Sequence, residues 1–191
     1  NSSDLYAIMQ KVLLREDKID QDREHFWILG LANNNRLLFI ELISLGTVNA
    51  TIVATMEVFS LALQKRAVKI ILCHNHPSGE LKPSDKDKDL TDRLLQIGLI
   101  VNMPVLDHII ITDQSYLSFA DIGLLAELKK SLKYVPSYEI AERMRAEAAL
   151  IKEQRLEQER YEMAKGFKEK GVAVATIAEV TGLSVEEVEK I

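Results

Sequence analysis

His74 and His76 flank Asn75, and Asp87 follows across ten intervening residues. Two imidazoles and a carboxylate at short, fixed offsets are the protein ligands of a catalytic zinc site, whose fourth position is left to water. The same donors accept other divalent ions, so the position of a metal is better specified than its identity. Zinc is the expected cofactor. Residues two apart on an extended backbone point to one side, which aims His74 and His76 at a common point. Pro77 biases His76 itself toward an extended conformation. Ser78-Gly79 then turns the chain, and Pro83-Ser84 opens a helix that returns Asp87 to the strand end.

The elements that must hold these residues are readable from periodicity. Residues 68–73 (VKIILC) form a short apolar run, read as a buried strand ending at the first histidine. Residues 84–97 read as the helix carrying Asp87, with Gly98 as its stop. Apolar runs at 25–31 and 37–44 are joined by Ala32-Asn33-Asn34-Asn35, a hairpin signal because Asn tolerates left-handed turns. Helical spacing marks 4–14 and 54–65, and strands are expected at 105–112 and 116–119 around Asp113-Gln114. Strands interleaved with helices predict an α/β domain, a mixed sheet covered by helices.

The stretch HNHPSGELKPSDKDKDLT resembles the H-x-H-P, six residues, S-x-x-D pattern of the JAMM (JAB/MPN) metalloprotease-like domains. It is similar in particular to the bacterial RadC family, which carries HNHPSG, PS-x-x-D and a later LDHII. The likeness runs from about Glu24 through Gly46-Thr47 and the VLDHII of residues 105–110 to Tyr116-Leu117-Ser118. Members commonly place a helix-hairpin-helix region ahead of this domain, and these residues show none. They also usually carry an Arg near the start of the helix after Gly46-Thr47, where Met56-Glu57 stands here.

The resemblance implies an MPN-type mixed β-sheet flanked by helices, here with an all-helical C-terminal tail. It implies that His74, His76 and Asp87 ligate zinc. It matches Glu24 to the family's upstream glutamate, the group that takes a proton from the nucleophilic water and delivers it to the leaving amine. Ser84 matches the family serine, whose hydroxyl stabilises the oxyanion. The implied reaction is metal-assisted hydrolysis of peptide or isopeptide bonds, on a protein or peptide substrate, ubiquitin-like conjugates included.

Each residue also has a plainer reading. His74 and His76 are polar residues at a strand end, and Ser84 is a good N-cap with Asp87 as its third-position partner. Glu41 also precedes a strand-like stretch and competes with Glu24 for the role of base. Cys73 adjoins His74, but strand alternation turns its thiol to the opposite face, as a buried structural residue. His108 reads as a core residue, or one supporting the ligands, ahead of a ligand, and His25 as a strand residue.

Composition narrows the class. The 191 residues suffice for one core and a small appendage, and no apolar run approaches bilayer-spanning length. A net charge of −5 argues against a chain built to grip phosphate backbones, so nucleic acid is not an expected partner. One cysteine excludes an internal disulfide and suits a reducing compartment, the bacterial cytoplasm. The opening Asn1-Ser2-Ser3-Asp4 has no secretory character and, lacking Met, reads as a trimmed start.

Composition shifts around Pro136. Residues 138–170 are rich in Glu, Arg, Lys and Ala, with pairs such as Glu139/Arg143 at helical spacing, and read as a solvated helix. After Gly166 and Gly171, residues 176–188 read as helix, Gly turn, helix, with Ser184 and Glu187 as a capping box. The expected organisation is 1–130 as the JAMM domain, 131–165 as a charged helical linker and 166–191 as a small helix-turn-helix-like tail. Glu186, Glu187 and Glu189 would repel phosphates, so the tail is expected to contact protein, with self-association into a homo-oligomer one outcome. The functional classes left open beside the hydrolase are a DNA-repair-associated module and a metal-binding scaffold without turnover.

Overall fold

The computed structural model describes residues 1–46 and 53–191. Thr47, part of the family likeness, lies outside the described residues. The chain separates into two compact units, Asn1–Val135 and Pro136–Ile191.

The first unit is a five-stranded mixed sheet between helices. Its strands are β1 (His25–Leu31), β2 (Leu37–Leu45), β3 (Lys69–Asn75), β4 (Val105–Ile111) and β5 (Tyr116–Ser118), in the order β2-β1-β3-β4-β5. Helices α1 (Ser2–Leu13) and α2 (Lys18–Gln21) precede β1, and α3 (Thr55–Gln64) precedes β3. Helix α4 (Asp85–Ile100) links β3 to β4, and α5 (Leu124–Leu128) follows β5. β3 and β4 are parallel, which requires a crossover such as α4; every other described pairing is antiparallel. The hairpin at residues 32–35 forms as expected, with Asn35 at φ 63°.

Alternation splits the strand residues between two apolar layers. Trp27, Leu29, Ile71, Cys73, Ile109 and Ile111 pack on one face with Met9 and Leu13 of α1. Phe26, Ile28, Ile70, Leu72 and Ile110 pack on the other with Val58, Phe59, Leu94 and Leu95. The second face also carries the even-numbered residues His74 and His108, so both histidines look toward α4.

Helix α4 does not stop at Gly98, as its sequence suggests, but continues to Ile100. The stop is Asn102, which takes the left-handed conformation at φ 55°. The Asn102 N–H donates to Leu99 O (3.2 Å) and the Met103 N–H to Gly98 O (2.8 Å), the two bonds of a Schellman ending. Gly98 serves close packing instead: a Cβ there would sit 2.7 Å from the Met103 carbonyl oxygen. Asp87, Thr91, Leu94, Leu95 and Gly98 therefore form one stripe at helical spacing.

The second unit consists of α6 (Ser137–Glu169), α7 (Val174–Thr181) and α8 (Val185–Lys190). Along α6, which runs through Gly166 without a break, Ala164 is the one buried residue, and ion pairs one turn apart link Arg143 to Glu139 (2.6 Å) and Arg155 to Glu159 (3.0 Å). Ile177 and Val188 close over Ala164 to make a small core. Gly182 at φ 70° turns the chain between α7 and α8, and Ser184 and Glu187 form the capping box. Val180 and Val185 stay exposed. Among the described residues no helix is long and apolar enough to cross a membrane.

Candidate metal centre

β3 carries His74 to the edge of the core, and His76 follows just beyond the strand end. The two Nε2 atoms lie 2.9 Å apart. Helix α4 brings Asp87 to the same point, with Oδ1 3.3 Å from His74 Nε2 and Oδ2 3.6 Å from His76 Nε2. One donor atom from each residue falls within 4.8 Å of the other two. Side-chain exposure rises from 5% at His74 through 11% at His76 to 18% at Asp87, so solvent reaches the cluster from one side.

The donor set fits a divalent ion. The carbonyl of Glu80 lies 2.6 Å from His76 Nδ1 and can only accept, so Nδ1 carries the proton and neutral His76 offers Nε2 as a lone pair. Two imidazole nitrogens and a carboxylate oxygen then face one another, an arrangement that calls for a cation. Without one, a proton does that work. Burial alone would lower the His76 pKa, but its contacts with Asp87 and the Glu80 carbonyl outweigh this and raise it. Burial would raise Asp87, yet His76, His74 and Ser84 hold its carboxyl well below the usual carboxylate range. His74 is fully buried, which pulls it down to about 4 although Asp87 partly offsets the effect.

Ser84 is the N-cap of α4, and it orients the carboxylate. Its N–H and Oγ–H both donate to Asp87 Oδ2 at 2.7 Å, and its Oγ accepts the Asp87 N–H at 3.1 Å. This is a capping box with aspartate at the third position. The cap that starts the helix is thus the clamp that fixes the third donor.

Glu24 lies just before β1. β1 and β3 are antiparallel, and their pairing ends with Phe26 opposite His74, two residues after Glu24 and two before His76. The charge of Glu24 contributes to the raised His76 pKa. Glu41 lies elsewhere: it pairs with Ile28 across the β1–β2 ladder, and its carboxylate binds Lys65 at 3.1 Å. β1 separates it from β3. Cys73 is fully buried on the α1 face, where burial and then Asp107 push its thiol pKa far up, so it offers no thiolate. His25 stacks on Trp27 with ring centroids 4.9 Å apart, a strand residue.

The structure places His108 behind His74, in contact with that ligand, and adds Asn75 and Thr91, which the sequence did not single out. Asn75 is buried; its Oδ1 accepts the His25 N–H at 2.7 Å and its Nδ2 donates to the Arg23 carbonyl at 2.9 Å. Behind His74, its Nδ1 lies 2.8 Å from His108 Nε2, and His108 Nδ1 lies 2.6 Å from Thr91 Oγ1. Thr91 stands one helical turn after Asp87, a spacing visible in the sequence once Asp87 is chosen.

A sheet whose central strand delivers an H-x-H pair to an aspartate on the following helix defines a JAB-type domain. The family model described as RadC-like JAB domain matches residues 1–124, and the chain belongs to that family. It is 41% identical over 124 residues to a UPF0758 protein of Flavobacterium johnsoniae, covering 65% of this chain and 52% of that protein. It is 46% identical over 113 residues to a UPF0758 protein of Desulforamulus reducens, covering 59% and 50%. A UPF0758 protein of Desulforudis audaxviator is 46% identical over 112 residues, covering 59% and 49%. The chain spans about half the length of these curated relatives.

Proposed function

We propose that this chain is a metal-dependent hydrolase of peptide or isopeptide bonds, with zinc as its ion and Glu24 as its general base. The observation that carries the reading is the convergence of His74 Nε2, His76 Nε2 and an Asp87 oxygen within 4.8 Å, on the solvent side of the core and beside Glu24. Bound there, a divalent ion would lower the pKa of a coordinated water from about 15.7 to about 7 and polarise the scissile carbonyl.

The chain's own groups would supply the rest. The Glu24 carboxylate takes a proton from the attacking water and returns it to the leaving amine. His76 and Asp87 are held by the Glu80 carbonyl and Ser84, so little reorganisation is needed when substrate arrives. Ser84 has one hydroxyl proton, and it is directed at Asp87 Oδ2. Donation to an oxyanion requires that hydroxyl to rotate away, and the Ser84 N–H still binds the same carboxylate oxygen when it does. The two roles of Ser84 are therefore compatible.

The net charge of −5 favours a protein or peptide substrate over nucleic acid, and the single buried cysteine suits the bacterial cytoplasm. The test is metal analysis of purified protein together with hydrolysis of a panel of peptides and ubiquitin-like conjugates. Chelation should abolish turnover and added zinc should restore it. Glu24→Gln should keep the metal and lose about 10²–10⁴-fold in rate. Zinc binding with no turnover on any conjugate would point to a scaffold, and salt-sensitive duplex binding to a nucleic-acid module.

A further inference from the structure

Behind His74 runs a chain of three hydrogen bonds whose protons can be assigned one by one. It starts at the Asp87 carbonyl oxygen, 2.5 Å from Thr91 Oγ1. A carbonyl has no proton to give, so the Thr91 hydroxyl donates there, as helical threonines commonly do to the residue four before them. Its one proton is then used. Thr91 Oγ1 must accept at its other contact, so His108 Nδ1, 2.6 Å away, carries a hydrogen. His108 has no exposed surface and sits against two rings, with centroids at 5.7 Å from Phe26 and 4.7 Å from Phe119, apolar surroundings that disfavour a charged ring. A neutral imidazole protonated at Nδ1 presents Nε2 as an acceptor. His74 Nδ1, 2.8 Å from that nitrogen, must donate. His74 Nε2 is then left as a bare lone pair pointing at His76 and Asp87.

We infer that Thr91 and His108 are positioning residues that lock His74 in the Nδ1–H tautomer, the form whose Nε2 can ligate a metal. Most histidine ligands are oriented by a carboxylate, a backbone carbonyl or water on the second nitrogen. Here the carbonyl is that of Asp87, another member of the candidate ligand set, and it acts through two intermediate side chains. The relay thus ties a strand ligand to the first turn of the helix that bears the carboxylate. Reversing any proton in the chain puts a hydrogen on His74 Nε2, where it would block the metal. This inference rests on the metal-centre reading for its purpose, but the tautomer itself can be measured without metal.

The experiment is long-range proton–nitrogen NMR on histidine-labelled, chelator-treated protein at neutral pH, followed by zinc titration against a chromophoric chelator. In the unsubstituted chain, His74 and His108 should both show protonated Nδ1 and unprotonated Nε2. Thr91→Val keeps the shape and removes the hydroxyl, freeing His108 Nδ1 from its acceptor. His74 should then populate the Nε2–H form, and zinc affinity should fall about 10–100-fold. Thr91→Ser should restore both signals, which a purely packing role for the threonine would not predict. A His74 already protonated at Nε2 in the unsubstituted protein, or Thr91→Val with unchanged tautomer and affinity, would overturn the relay. Failure of the unsubstituted protein to bind zinc, with the tautomers as stated, would sink the metal reading and leave the relay standing.

Discussion

The Asn75 side chain brackets Glu24, accepting from the N–H of His25 on one side (2.7 Å) and donating to the carbonyl of Arg23 on the other (2.9 Å). Asn75 lies between the two histidines, and alternation turns its side chain away from the face they share. One short segment therefore supplies two ligands on one face and, through Asn75, fixes the backbone of the proposed base. Asn75→Ala should keep zinc binding and lower the rate by about 10-fold or more, because Glu24 loses both anchors while the ligands keep theirs. Asn75→Asp retains the acceptor and loses the donor, so it should fall between. Equal rates for Asn75→Ala and the unsubstituted protein on a verified substrate would show that Glu24 needs no such anchoring.

Ser84 contributes to both stability and chemistry, and the two can be separated. Ser84→Ala removes an N-cap acceptor and a donor to Asp87. The expected cost is about 1 kcal/mol in urea denaturation, from the cap. The expected rate loss is about 10²-fold or more, from the oxyanion donor, with metal still bound. If the hydroxyl only caps, the stability loss should appear with the rate nearly intact.

Gly98→Ala tests the stripe that seats α4 on the sheet. Alanine is intrinsically better in a helix by about 1 kcal/mol. The new Cβ would meet the Met103 carbonyl at 2.7 Å, inside contact distance and against backbone. The clash should win, for a net loss of about 1–3 kcal/mol. A stabilised variant would show that the helix end yields freely.

How far this arrangement was legible depends on the range of each interaction. The Ser84–Asp87 cap is local, three residues long, and was readable. The end of β3 was less so: the apolar run stops at Cys73, whereas the strand continues through His74 to Asn75 before Pro77. Gly98 misled because glycine has two uses: the sequence pattern suggests a helix stop, whereas the fold uses its missing Cβ for close approach and leaves the stop to Asn102. The His74–His108 contact depends on β3 and β4 being parallel neighbours, with Leu72 opposite His108 and His74 opposite Ile110. Nothing within either strand announces that pairing. Glu24 could be chosen over Glu41 only through the family resemblance; in the fold the charge of Glu24 acts on His76, whereas the Glu41 carboxylate is engaged by Lys65.

The metal-free protein should lose stability as pH falls from about 6.5 toward about 4. Burial depresses the His74 pKa to about 4 from 6.5, and His108 is also well below its ordinary value. Between those limits the unfolded chain takes up protons that the folded chain does not, so acid favours unfolding. For His74 alone the effect is of order 2–3 kcal/mol. His76 is raised and opposes it, since its stabilisation is fully present below 6.5. Asp87 is lowered, so its contribution is lost only below 3.8, beneath this window. Two depressed imidazoles outweigh one raised, and urea denaturation in chelator should give a lower midpoint at about pH 5 than at about pH 7. An equal or higher midpoint in acid would mean that His76 dominates the cluster.

The central claim is that His74, His76 and Asp87 hold one divalent ion between them. An anomalous-difference map at the zinc edge, from crystals grown with zinc at neutral pH, tests it most directly. The account predicts a single strong peak about 2.0–2.2 Å from His74 Nε2, His76 Nε2 and an Asp87 oxygen, with open space on its solvent side. A map with no peak among these three residues would contradict it.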